Sequence, residues 1–127
     1  MEVTVSGFRF PCLVISLAVF VITGNSGLYA HHAISIEHDT TRTHEVTGII
    51  KETDWNNPHA FVRLDVSGKT WLVTLLSPNA LQRHGLDRSS LEVGKTLSAV
   101  GYPNRTQDEV YAQSITIDGK TIVLFSR

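Results

Sequence analysis

The chain carries six histidines, and four of them, His31, His32, His38 and His44, crowd into one short polar stretch. Neutral imidazole is a good ligand for copper and zinc. If the chain is cut after Ala30, His31 presents its α-amine beside its own imidazole, and the two nitrogens can chelate one ion. His32 stands next to it. His59 is the expected third donor, because Pro58 fixes the backbone before it and it opens a strand from a loop. Such a set resembles a histidine brace. Paired histidines near a processed end also serve simply as solvated residues, and Asn57-Pro58-His59 also reads as a loop that the imidazole holds closed.

A second group could bind without chemistry. Trp55, Asn57, His59 and Phe61 surround one turn cluster, and Tyr102 and Arg105 flank another. Together they would line a shallow groove if the fold brings the two loops to one surface. Other catalytic patterns are missing. There is no Gly-x-Ser-x-Gly elbow to place a nucleophile, no Gly-rich phosphate loop and no His-Glu-x-x-His helix. The reading therefore leans away from an enzyme. Asn104-Arg105-Thr106 matches a glycosylation acceptor, a triplet common by chance.

The cut itself is read from the first thirty residues. Arg9 precedes an apolar run from Leu13 to Ile22, followed by Gly24, Asn25, Ser26 and Gly27. A basic start, a short apolar core and a small residue at the cut describe a secretory signal peptide. The run is shorter than the ~20 apolar residues of a membrane span. Cleavage after Ala30 fits best, although Leu28 is larger than usual at its position. The expected organisation is a signal peptide over 1–30, a histidine-rich arm over 31–43 and a single domain over 44–127. The expected location is the periplasm or the exterior, with membrane contact only during export. The one cysteine, Cys12, goes with the signal, so disulfides, thiolate metal sites and covalent haem are excluded from the processed chain. The balance of 11 Lys+Arg against 12 Asp+Glu speaks against a nucleic-acid binder, which normally shows a basic stripe.

The elements that must position these residues are mostly strands. The arm carries no more than one short strand, around Ile34 and Ile36. Val46, Gly48 and Ile50 share one face of the first long strand, and Val62, Leu64 and Val66 point inward from the second. Ser67-Gly68 turns tightly into Lys69 to Leu76, which is apolar on both faces and reads as a strand buried on each side, with Trp71 in the core. Ser77 as N-cap, Pro78 at the first position and Gly85 past the end predict a helix of about two turns. Strands follow over Thr96 to Tyr102 and Val110 to Ile117, with a polar loop from Pro103 to Asp108. Asp118-Gly119 is a hairpin signal, returning through Ile122 to Phe125. This order predicts an all-β fold, a five- to six-stranded Greek-key barrel of oligomer-binding (OB) type, with the helix between strands three and four. In such barrels the loops holding Trp55 and Arg105 border the binding face.

A resemblance adds to this. The chain resembles a family of small exported bacterial proteins of unknown function, domain-of-unknown-function family 6152. The residues that carry it are His31-His32-Ala33, Val46-Thr47-Gly48, Trp55 with Asn57-Pro58-His59, and Trp71. They continue through Ser77-Pro78-Asn79-Ala80-Leu81, Arg83 with Gly85, Gly94, Gly101-Tyr102-Pro103 and Asp118-Gly119-Lys120. This chain has Thr74 where members commonly carry an acid, and Leu86 where they carry a tryptophan. The resemblance implies export and a small barrel, and it brings no activity. Two functions follow as expectations: a non-catalytic accessory module holding a periplasmic protein or small ligand, or a copper- or zinc-binding protein built on His31.

Overall fold

The computed structural model describes residues 34–126. The expected signal peptide, His31 and His32 lie outside them. The strands are β1 (His44–Asp54), β2 (Phe61–Val66), β3 (Lys69–Thr74), β4 (Thr96–Pro103), β5 (Glu109–Ile117) and β6 (Lys120–Val123). A helix, α1 (Pro78–Arg83), and a 3-10 helix (Arg88–Leu91) lie between β3 and β4.

Five strands close on themselves. β1 pairs antiparallel with both β2 and β4, β4 with β5, and β3 joins β5 in parallel to shut the barrel. That is the OB arrangement the pattern predicts, with β6 added outside on β5. β1 serves both halves because its register shifts between Ile50 and Glu52. An extra residue in one strand bends it and raises its twist. The bends need small residues. A Cβ on Gly48 would stand 2.4 Å from the Asp65 carbonyl oxygen, and one on Gly101 1.9 Å from that of Tyr111.

Alternation fills the interior. Val46, Ile50, Val62, Leu64, Val73, Leu97, Val110 and Ile115 point in from five strands, and Leu81, Leu86 and Leu91 join them from the connection between β3 and β4. Burial of each such side chain contributes about 1.5–3 kcal/mol. Thr53 ties the 3-10 helix to β1 by donating to the Leu91 carbonyl at 2.7 Å.

Both tight turns take the form their residues dictate. Ser67 and Gly68 have φ of 53° and 86°, and Asp118 and Gly119 have 49° and 75°. Two positive φ values suit the right-handed twist of the flanking strands. α1 starts where expected, with the Ser77 hydroxyl accepting from the Ala80 amide.

Four details differ from expectation. Residues 34–37 form a helical turn, not a strand, because Ile34 accepts from the His38 amide at 2.8 Å. β6 begins at Lys120 and ends at Val123, since a two-residue turn makes pairing start at once. The outer face of β3 is covered only in part: Thr74 is buried and Leu72 half-buried. Trp71 is half-buried too, packed on the core from below and covered by the His44 ring at 5.1 Å, with interplanar angle 17°.

Candidate functional site

The site lies where β3 meets β5. The parallel register places Leu72 beside Glu109, Val73 beside Val110 and Thr74 beside Tyr111. Val73 and Val110 go into the core. Strand alternation then sends Leu72, Thr74, Glu109 and Tyr111 to the outside. On the neighbouring strand Phe61 sits opposite Thr74, and Arg63 opposite Leu72. The outer side of the sheet therefore carries two rows across β2, β3 and β5, Phe61, Thr74, Tyr111, and Arg63, Leu72, Glu109, of which Thr74 and Tyr111 are buried.

Glu109 is the electrostatic centre. Its Oε1 accepts from the Thr74 hydroxyl at 2.5 Å, and its Oε2 from the Asn104 amide at 3.0 Å. His38 approaches from the arm, with Nε2 3.4 Å from Oε1. The imidazole beside it, foremost, and then the Thr74 and Asn104 donors hold the Glu109 carboxyl below the ordinary carboxylate range, against the opposing effect of burial. An ionised, part-buried carboxylate supplied with donors in this way is stable. His38 is different. Only 5% of its side chain is accessible, and neither ring nitrogen makes a hydrogen bond among the described residues.

Aromatic rings wall the same place. Tyr111 meets the edges of His38 and His59, each with centroids 5.8 Å away, and Phe125 at 5.5 Å. Phe125 in turn touches Tyr102 at 6.3 Å. Edge-to-face arrangements at these separations are favourable. Burial raises the Tyr111 phenol above its usual range.

The sequence-predicted residues divide between this cluster and its rim. His59 belongs to it, with Nδ1 3.0 Å from the Leu75 carbonyl oxygen. Tyr102 belongs to it as well, only 7% exposed, with its hydroxyl accepting from Gln113 at 3.0 Å. Phe61 lies beside Thr74. Arg105 clamps the arm: its amide donates to the Glu37 carbonyl at 2.9 Å, and its guanidinium reaches the Ser35 carbonyl at 3.5 Å. Asn57 is exposed and joined to Pro58 by a cis peptide bond. Trp55 is half-buried and packs toward the core. Among the described residues no group of three or more His, Cys, Asp or Glu side chains could hold a metal ion. Sequence reasoning passed over Glu109, Thr74, Asn104, Tyr111 and Phe125, and assigned His38 no partner. No local motif marks them; the β3–β5 register, the β4–β5 turn and the arm bring them together.

No curated protein matches the chain. Among solved structures it is similar to the crystal structure of the S. pombe Stn1-Ten1 complex, at TM-score 0.48 and 20% identity, over 60% of this chain and 57% of that one. It is also similar to the ZRD-deleted mutant of TiaS in complex with agmatine, at TM-score 0.48 and 20% identity, over 62% of this chain and 22% of that one. The chain thus spans less than two thirds of the length of either. A family model matches over residues 18–112, and by that match the chain belongs to a family of unknown function, DUF6152.

Proposed function

We propose that the protein is an exported, non-catalytic binding module that holds a partner protein or small ligand on the outer face of β2, β3 and β5. The observation that carries this reading is the two-row face itself. Half-buried Phe61 and Leu72 lie beside exposed Arg63 and part-buried Glu109, with Thr74 and Tyr111 buried behind them, giving apolar area with a few fixed polar groups, the usual make-up of a binding surface. The titratable groups beside it support binding over proton transfer. His59 is held by a carbonyl and Glu109 by two donors, which fix their positions for holding a ligand. Export is supported by the signal-like residues 1–30.

A photo-crosslinking amino acid placed at Phe61 in the producing cell tests this. A discrete adduct from position 61, with none from exposed Val93, is the expected result; equal labelling from both positions overturns the reading. Mass spectrometry of the exported protein is expected to give His31 as first residue. The metal reading on His31, His32 and His59 has its own test. Copper(II) is titrated into the processed protein and into a form extended by one residue before His31, and equal weak binding by both removes it.

A further inference from the structure

We propose that residues 34–39 are a removable plug in a preformed socket for an imidazole-bearing peptide segment, and that such a segment of a partner protein displaces them. This rests on the binding-module reading and names the partner's chemistry.

The socket is built without the plug. Thr74 and Asn104 orient the Glu109 carboxylate from the barrel side, and His59 and Phe125 hold the Tyr111 ring. Removing His38 leaves an oriented carboxylate beside an aromatic ring. That pair suits a planar donor which is apolar on its faces and polar at its edge, as imidazole is.

The plug fits that socket imperfectly. A charge-assisted N–H to carboxylate bond closes to about 2.7–2.9 Å, whereas His38 Nε2 stands at 3.4 Å from Glu109. Nδ1 is buried without a hydrogen bond among the described residues and Nε2 has only this long contact, a state that native interiors rarely keep. The short helical turn before His38 constrains its approach, with the His38 amide tied back to Ile34. An extended segment is free of that constraint and can bring its imidazole closer.

The arm is held mostly by backbone groups that another segment can use. The Asp39 amide donates to the Pro103 carbonyl at 2.9 Å, and Glu37 accepts from the Arg105 amide. His38 and Asn104 form an antiparallel bridge. These are the contacts of strand addition, in which main-chain pairing gives affinity and a side-chain pocket gives specificity. Ile36, in contrast, is 74% exposed and adds little anchorage.

The test uses the full chain and a fluorescent peptide copying Ile34 to Thr41, read by anisotropy. His38→Ala disables the plug and keeps the socket. It is expected to bind the peptide about tenfold or more tightly than the unaltered chain, since the arm then competes through its backbone contacts alone. A peptide with alanine for histidine is expected to bind no better to either form. Adding Glu109→Gln to His38→Ala is expected to lose that gain. A folded His38→Ala protein that ignores the peptide, or binds both peptides equally, overturns the proposal. Should His38→Ala not fold, Asp39→Pro, which removes the amide donated to Pro103, takes its place with the same expectation. If position 61 crosslinks while the peptide fails, the plug is wrong and the binding face stands; failure of both removes both.

Discussion

Glu109 contributes acid sensitivity to this barrel. Its folded carboxyl titrates lower than in the open chain, chiefly through His38. A depressed carboxyl stabilises the fold above its unfolded value, about 4.3, and that contribution is lost as the pH falls through the folded value. Urea midpoints at pH 7 and pH 3 therefore separate more for the unaltered protein than for Glu109→Gln. Equal separations refute the assignment. Gly101 is the other decisive residue. An added Cβ would meet backbone at Tyr111, which has no rotamer with which to yield, so Gly101→Ala should cost about 3 kcal/mol or more in denaturant melts. The chemistry of such residues was only partly legible. Histidines advertise themselves by type, yet nothing near His38 in sequence announces that Glu109 is its neighbour, and Glu109 reads as the polar end of a loop.

Elements were more legible, because their signals are local. Ser77, Pro78 and Gly85 mark α1, and Ser67-Gly68 and Asp118-Gly119 mark the hairpins, since capping and positive φ depend on residues within one turn. The 3-10 helix at Arg88–Leu91 escaped for the same reason: four residues are too few for a period to show. Its cap is the better formed of the two. The Asp87 carboxylate accepts from the Ser90 amide at 2.9 Å and from the Ser89 hydroxyl at 2.6 Å, with Ser90 returning a bond to the Asp87 amide. Ser77 accepts from Ala80 only at 3.4 Å. Ser77→Ala is accordingly expected to cost about 0.5 kcal/mol, the low end for such caps. Asp87→Ala should lower the urea midpoint further; the reverse order would show that cap geometry does not set the energetics here.

At the scale of the molecule the seam between β3 and β5 is the short side of the barrel. Its register runs only over Leu72–Thr74, against Glu109–Tyr111, while β4 follows β5 from Leu97 to Pro103. Local opening starts where few backbone bonds cross. Hydrogen exchange is therefore expected to be faster at the amides of Leu72 and Thr74 than at those of Val46 and Gly48 in the β1–β4 ladder; the opposite order would make the seam the rigid part. The number of strands and their order followed from alternation and turns. Closure was expected from the barrel type, but the β3–β5 register that achieves it was not, since a parallel pairing of segments so far apart in the chain leaves no trace in either one.

That late closure governs how an incomplete chain behaves. Until residues 109–117 are made, β3 and β4 both end in bare hydrogen-bonding edges, which template intermolecular pairing. Chains stopped before Ile117 should collect in insoluble deposits and not persist as smaller soluble barrels.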